Sequence, residues 1–399
     1  MIQIGSTHVP DALPFPVEEY RDRHTRVRAA MTRRGLDVLV VTSPANLCWL
    51  TGYAASWYPP RLPVSLLLHR EAPELVIADW SRHRDYVPLV ALHDELELLD
   101  DGRAPAQVAT ALDRRGWLGG RVALEWHETT PVPGTMVALA DELRSRGAAL
   151  TRGDRLVDDL RLVKSEAELA VVRRAASILD DAFEALAGLL RPGATELQVA
   201  ATLSSLLAER GSEVPAQHPL VSSGPTAWAD VHAFPSARVI ERGEIVSVDA
   251  CAVVDRYHVN LQRTFALGHW DQRAADYLDA GRRGQGVLCA RAVPDAAPAA
   301  ALAAAQATVA EDVPADHTWW VGGYSLGVSF PPSWTGHRYL SDDGSDGLRL
   351  APGYVTNFET ITVVPDSGAE ASAIDTLVMT TSGLTPLSRL ARGLWRLDG

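Results

Sequence analysis

The chain has 399 residues, of which 47% are hydrophobic, and its formal net charge is -13. A chain of this length is too long for one ordinary hydrophobic core, which predicts two domains. The apolar fraction is large enough to form a core in each. Because the negative charge repels phosphate backbones and anionic lipids, we expect neither nucleic acid nor a membrane surface as a partner.

The cysteines and the N-terminal segment indicate the compartment. Cys48, Cys251 and Cys289 are odd in number and lie far apart, which argues against a disulfide framework and predicts a reducing environment. The opening segment MIQIGSTHVPDALPF lacks the basic and apolar regions of a signal peptide, and no apolar run approaches the ~20 residues of a spanning helix. We therefore expect a soluble, cytoplasmic protein.

The first part of the chain alternates short apolar runs with amphipathic segments. A helix is predicted at residues 19–35, and strands are predicted at 36–41, 64–69 and 74–78. This alternation is typical of an α/β domain. We assign that domain to residues 1–160.

Two capped helices mark the start of a second domain. Ser165 and Glu168 form a capping box in front of an apolar repeat at steps of three and four, which predicts a long helix. Thr195 and Gln198 repeat the capping box and predict a second helix. We assign residues 161–399 to this domain.

β-structure follows the two helices. Strands are predicted at 244–254 and 256–267, and an alanine-rich segment at 294–312 predicts a further helix. In the second strand, alternate residues point to the same face. One face therefore carries the hydrogen-bonding side chains His258, Asn260, Gln262 and Thr264.

Six sequence blocks, in order, resemble those of the pita-bread fold, the family of Xaa-Pro aminopeptidases, prolidase, methionine aminopeptidase and creatinase. The blocks are LRLVKSEAELAVVRRAA, HAFPSAR, GEIVSVDACAVVDRYHVNLQRTFALG, GGYSLGVSFPP, NFETITV and SAIDTLVMT. The earlier segment GLDVLVVTSPANLCWLTGY resembles the N-terminal domain of the longer members. The resemblance implies a creatinase-like α/β N-terminal domain followed by an α+β pita-bread domain.

The metal-binding positions of this family are altered. In the metallopeptidase members, two divalent metals are held by two Asp, one His and two Glu. The resemblance aligns these positions with Asp249, Asn260, Tyr324, Glu359 and Ile374. Two carboxylates with an amide, a phenol and an isoleucine would bind a divalent metal poorly. We expect no metal and no other cofactor.

Two metal-free branches of the family offer templates. Creatinase hydrolyses a carbon-nitrogen bond of a guanidinium compound; His232 matches its histidine, Glu359 matches one carboxylate, and Gln262 replaces a glutamate. Ectoine hydrolase resembles the segments NLCWLTGY, RYHVNLQRT and GYSLGVSFPPSW, including Tyr324 in place of the metal-binding histidine. Where that branch has a glutamate nucleophile, this chain has Asp249.

These templates imply roles for individual residues. The catalytic candidates are Asp249 to attack or orient water, His232 to move a proton, Glu359 to hold a substrate N–H, and Tyr324 to stabilise developing charge. The substrate-binding candidates are His258, Asn260, Gln262, Trp57, Tyr58 and Trp334. The aromatic members of this set suit a cationic substrate.

The leading hypothesis is a metal-independent hydrolase that cleaves a carbon-nitrogen bond in a small amidine, guanidine or amide. Three alternatives remain open: a non-hydrolytic cyclase, lyase or isomerase, an Xaa-Pro metallopeptidase with altered ligands, and a non-catalytic peptide-binding protein. A structural role for Asp249, paired with Arg263 or a backbone amide, also remains open. The family resemblance further implies a homodimer.

Overall fold

A computed structural model describes residues 2–4, 7–127, 129–224, 227–336 and 348–397. The chain forms two compact units, Met1–Arg161 and Leu162–Gly399. Within the described residues, no helix has both the length and the apolar character needed to cross a membrane.

The first unit is an α/β domain, as predicted. Its helices are α1 (Val17–Arg34), α2 (Pro44–Thr51), α3 (Val87–Val90), α4 (Ala104–Arg114), α5 (Pro133–Ser145) and α6 (Leu156–Arg161). Its strands are β1 (Ile2–Ile4), β2 (Thr7–Val9), β3 (Val38–Val41), β4 (Ser65–His69), β5 (Leu75–Trp80), β6 (Glu95–Leu99), β7 (Arg121–Leu124) and β8 (Ala149–Arg152).

Six of these strands form one mixed sheet in the order β6-β5-β4-β3-β7-β8. The three predicted strands correspond to β3, β4 and β5, which are neighbours in this sheet. All four residues of β3 are buried. Such a continuous apolar run is typical of a strand covered on both faces.

The second unit begins with the two predicted helices. Both capping boxes are formed, because Ser165 and Thr195 each accept a hydrogen bond from the backbone of the residue three positions later. The helices of this unit are α7 (Glu166–Leu189), α8 (Glu196–Glu209), α9 (Gln272–Arg291) and α10 (Pro298–Ala310). The last lies in the alanine-rich segment, so that helix prediction is also confirmed.

A large, mainly antiparallel sheet forms the centre of the second unit, with six strands in the order β12-β13-β15-β11-β10-β9 and three more at its margins. Its strands are β9 (Leu220–Ser223), β10 (Ile245–Val254), β11 (Tyr257–Leu267), β12 (Thr318–Gly322), β13 (Val355–Val364), β14 (Ala369–Glu370), β15 (Ala373–Thr380), β16 (Gly383–Pro386) and β17 (Trp395–Leu397).

The strand register sets four important positions in one row across this sheet. Asp249 in β10 lies opposite Gln262 in β11, which lies opposite Ile374 in β15. Ile374 in turn lies opposite Glu359 in β13. Residues paired across neighbouring strands project from the same face. The register therefore brings together residues that are more than one hundred positions apart.

A buried ion network lies elsewhere in the sheet. Asp375 accepts a 2.6 Å hydrogen bond from Arg263 and a 2.7 Å hydrogen bond from Arg392, and Gln285 of α9 donates to it over 2.9 Å. The two guanidinium groups hold the pKa of Asp375 below its usual value despite its burial. Arg263 is thus the partner of Asp375, and the alternative in which it pairs with Asp249 is wrong.

We predict that Asp375→Asn strongly destabilises the protein. The change leaves two buried guanidinium groups without their counterion, which costs about 3–5 kcal/mol and corresponds to a fall in Tm of roughly 10 °C. Differential scanning calorimetry measures this fall. Asp181→Asn is the control, because Asp181 and Arg389 form an ion pair that is about half exposed. The control is expected to change Tm by less than about 3 °C, and equal effects of the two changes would contradict the prediction.

Candidate active site

The row of residues across the second sheet faces a cavity of about 270 Å³. This volume lies just below the range of roughly 300–1,000 Å³ that is typical of ligand pockets. All the described residues that line it belong to the second unit. They are Gln217, Leu220, Val231, His232, Asp249, Gln262, Trp319, Trp320, Tyr324, Trp334, Thr335, Glu359, Ile361 and Ile374.

Two buried carboxylates of the cavity are joined by a bridge of two amides. Asn260 donates from Nδ2 to Asp249 Oδ1 over 2.6 Å. Asn357 donates from Nδ2 to Glu359 Oε1 over 2.7 Å and to Asn260 Oδ1 over 3.2 Å. Each amide therefore supplies an N–H donor to a carboxyl oxygen, at positions that the family resemblance aligns with metal ligands.

The cavity is electrostatically acidic. Burial raises the pKa of Asp249 well above its usual value, and the nearby Glu359 raises it further, whereas the hydrogen bond from Asn260 opposes the shift. The described lining residues include two carboxylates and no Lys or Arg. A cation that entered the cavity would favour the ionised form of Asp249.

Tyr324 is held in the wall by a close backbone approach. A Cβ atom on Gly323 would lie 2.2 Å from the carbonyl oxygen of Asn357, so only glycine fits at this position. The hydroxyl of Tyr324 accepts a 3.1 Å hydrogen bond from Nε1 of Trp334. Burial and the neighbouring carboxylates raise the pKa of Tyr324. The phenol therefore keeps its proton and can donate it to a bound ligand.

His232 lies at the mouth of the cavity. Its side chain is 75% exposed, and Nδ1 is 3.7 Å from Oδ1 of Asp230. The backbone N–H of His232 donates to the same carboxylate over 2.9 Å. The imidazole is thus in contact with solvent while it forms part of the lining. This position suits a group that exchanges protons between the cavity and water.

His258 and Asn260 support the cavity from behind its surface. Nε2 of His258 accepts from the backbone N–H of Ala216 and Nδ1 donates to the carbonyl of Arg256, both over 2.9 Å. Burial lowers the pKa of His258 to about 3, so the ring is neutral. Neither His258 nor Asn260 is among the lining residues. The geometry gives both a supporting role, and it offers no support for direct contact with substrate.

Trp57 and Tyr58 belong to the first unit. Tyr58 is buried, with its hydroxyl donating to the carbonyl of Tyr53 over 3.1 Å. Trp57 is half exposed and packs edge-on against Trp80, with ring centroids 5.6 Å apart. Their assignment to substrate binding stays a prediction.

The donor set does not fit the two-metal site of the metallopeptidases. Across the part of the chain that the structure describes, no group of three or more His, Cys, Asp or Glu side chains is placed to hold a metal ion. Asn260 directs its N–H group, which cannot ligate a metal, at Asp249. Ile374 fills the position between Gln262 and Glu359 with a hydrocarbon side chain. These side chains lack the ligands that hard divalent ions require.

Sequence reasoning missed several residues of this site. Asn357 stands two positions before Glu359 in NFETITV, so strand alternation could have placed both on one face. The pair Trp319 and Trp320 precedes the Gly-Gly turn, and both line the cavity. Glu370 is wholly buried next to Gln262, and no pattern in the sequence indicated this because only the β13–β14 turn places it there.

An α/β domain followed by a large, mainly antiparallel sheet with carboxylates on one face is the architecture that the sequence resemblance implied. The family profile described as "Metallopeptidase family M24" matches residues 170–381, and that described as "Creatinase/Prolidase N-terminal domain" matches residues 23–163. The chain belongs to family M24. The predicted fold class and family resemblance are therefore confirmed.

Relatives within this family have different activities. The ectoine hydrolase of Halomonas elongata is 28% identical over 406 residues, covering 96% of this chain and 98% of that protein. The probable dipeptidase PepE of Mycobacterium tuberculosis is 29% identical over 378 residues, covering 92% of this chain and 93% of that protein. The prolidase structure from Thermococcus sibiricus has a TM-score of 0.82 at 20% identity, covering 95% of this chain and 99% of that one.

We predict that Asp249→Asn raises the thermal stability of the protein. Because the folded-state pKa of Asp249 is raised, the folded protein binds more protons than the unfolded chain above about pH 4, and the contribution of Asp249 to stability falls as the pH rises. The asparagine side chain does not ionise, so the variant does not lose stability in this way. The difference in Tm between the variant and the wild type therefore grows from about pH 4 upward. Thermal unfolding at several pH values measures it.

Asp181→Asn is the control for the substitution itself, because Asp181 lies at the surface. A lower Tm for Asp249→Asn than for the wild type at pH 8 would contradict the electrostatic description of the cavity.

Proposed function

We propose that this protein is a metal-independent hydrolase that cleaves a carbon-nitrogen bond in a small cationic amidine or guanidine. The observation that carries the proposal is the pair of amide-bridged carboxylates, Asp249 and Glu359, in a cavity with no Lys or Arg in its described lining. A cationic guest supplies the missing positive charge. The nearly full-length similarity to an ectoine hydrolase supports this class of reaction.

The cavity wall suits a planar cation. Tyr324, Trp319, Trp320 and Trp334 provide aromatic surface, and a desolvated cation gains roughly 2 kcal/mol from an aromatic face. Glu359 would hold a substrate N–H. The attraction between the cation and Asp249 would lower the pKa of Asp249 and leave it ionised when substrate is bound.

The ionised Asp249 would then orient water and take one of its protons as the water oxygen bonds to the amidine carbon. Tyr324 would donate a hydrogen bond to the nitrogen or oxygen on which electron density increases as this carbon becomes tetrahedral. Cleavage of the carbon-nitrogen bond releases an amine, and His232 at the mouth would deliver the proton that this amine needs. An amidinium cation and one water thus give an amide and a protonated amine.

A dipeptidase is the second candidate, because the PepE relative is about as similar to this chain as the ectoine hydrolase is. The donor set argues against it. A metallopeptidase of this family relies on carboxylate and imidazole ligands at positions where this chain has Asn260, Tyr324 and Ile374.

We predict that the protein, after dialysis against EDTA, hydrolyses ectoine or another amidine or guanidine compound such as creatine. The physical reason is that its own side chains, without a metal, supply the charge and the proton transfers. Liquid chromatography with mass spectrometry would follow the product in ¹⁸O-labelled water, where hydrolysis incorporates one labelled oxygen. Product without label would point to a cyclase, lyase or isomerase. Cleavage of Xaa-Pro dipeptides alone, restored by Mn²⁺ or Co²⁺, would make the proposal wrong.

We predict that Tyr324→Phe lowers kcat by about 100-fold with a much smaller change in KM, because it removes a donor that acts on charge developing in the transition state. Steady-state kinetics on the amidine substrate measure this change. Tyr277→Phe is the matched control, since the hydroxyl of Tyr277 bonds to His317 and lies outside the lining. A kcat for Tyr324→Phe within a few-fold of the wild-type value would exclude the proposed donor role.

A further inference from the structure

Gln262 has a buried side-chain acceptor beside the cavity. It lines the cavity and is only 4% exposed. Both N–H bonds of its amide are used, because Nε2 donates to Ser247 Oγ and to Glu370 Oε1, each over 2.7 Å. Its Oε1 is buried and has no hydrogen-bond partner among the described residues. A buried acceptor without a partner is unfavourable, so a donor from a bound ligand would stabilise it.

Glu370 determines which end of this amide turns toward the cavity. Its carboxylate accepts from Gln262 through Oε1 and from Ser222 Oγ through Oε2, the latter over 2.8 Å. An ionised carboxylate can only accept hydrogen bonds. If the Gln262 amide turned over, its oxygen would face the oxygens of Glu370 and lose this contact. The carboxylate therefore holds the N–H group toward itself and leaves the amide oxygen without a hydrogen-bond partner among the described residues.

We propose that Glu370 is a positioning residue that fixes the Gln262 amide with its oxygen toward the cavity, so that the site selects substrates that present an N–H donor there. The inference rests on the proposed function, since amidinium and guanidinium groups carry N–H donors in a plane. It adds a determinant of specificity that does not touch the substrate. Gln262 contributes this acceptor without adding a third negative charge to the lining.

The pKa of Glu370 sets the pH range in which its carboxylate can accept the hydrogen bond from Gln262. Burial raises the pKa of Glu370 to about 7, and hydrogen bonds from Ser222, Ser372, Gln262 and Ser247 oppose the shift. Asp249 is an ionisable group close enough for the charge of Glu370 to raise its pKa. At pH 8.5 the carboxylate form of Glu370 predominates, and binding is best measured there.

The test uses acetamidinium chloride as the probe, with its Kd measured by isothermal titration calorimetry on the full-length protein at pH 8.5. Glu370→Gln keeps the shape but adds an N–H donor, so the Gln262 amide is free to turn over. Gln262→Met removes the amide. We expect each change to weaken acetamidinium binding about tenfold, the scale of one hydrogen bond to a charged donor. The double variant is expected to be no weaker than Gln262→Met alone, because Glu370 acts through Gln262.

Glu196→Gln is the matched control. Glu196 is also a buried carboxylate of the second unit, and it accepts hydrogen bonds from Ser223 and Ser236 rather than from Gln262. We expect its variant to bind acetamidinium within twofold of the wild-type Kd. A loss that appears equally in Glu196→Gln and Glu370→Gln would show a general structural effect and would overturn the positioning role.

Other outcomes separate this inference from the proposed function. If Glu370→Gln binds acetamidinium as the wild type does while Gln262→Met binds it weakly, the positioning role is overturned and the substrate class stands. If the wild type binds acetamidinium but hydrolyses no amidine or guanidine, the proposed reaction fails alone. If the wild type does not bind acetamidinium, the proposed substrate class and the positioning role of Glu370 are both wrong.

A crystal structure of the wild type with acetamidinium requires no variant to fold. It is expected to show a probe nitrogen within hydrogen-bond distance of Gln262 Oε1. A probe bound between Asp249 and Glu359 without this contact would overturn the inference.

Discussion

The amide bridge between Asp249 and Glu359 is the constraint on which the rest of the site depends. Two carboxylates that face one small cavity repel each other, and burial makes each charge more costly. Asn260 and Asn357 offset part of this cost with N–H donors. Their hydrogen bonds also orient the two carboxyl groups, so neutral amides fix the positions of the acidic groups of the site.

This arrangement gives the cavity its chemical character. In a metal-dependent member of the family, the carboxylates would be neutralised by cations that stay in place. In the metal-independent site that we propose, the amide bridge leaves the pKa of Asp249 dependent on the charge of the ligand that enters the cavity. A cationic ligand and a proton can each neutralise the charge of Asp249, and they therefore compete. Ligand binding is thus linked to the protonation state of Asp249.

The sequence by itself was sufficient for the fold and for much of the site. Local signals, such as the capping boxes at Ser165 and Thr195 and the apolar runs of the first domain, act within a few residues and can be read without knowing distant contacts. Family resemblance placed Asp249, Glu359 and Tyr324 together, and all three line one cavity. Strand alternation correctly assigned Gln262 to the face that the cavity uses.

The tertiary structure alone decided the partners of these side chains. Glu370 reaches Gln262, and Asp375 pairs with Arg263, across more than one hundred residues of sequence. Alternation placed His258 and Gln262 on one strand face, but only packing against residue Ala216 determined that His258 lies behind the wall. The physical reason is that a strand pattern specifies a face, whereas hydrogen-bond partners depend on register and turns elsewhere in the chain. The sequence therefore determined which groups the site contains, and the sheet register determined which of them meet.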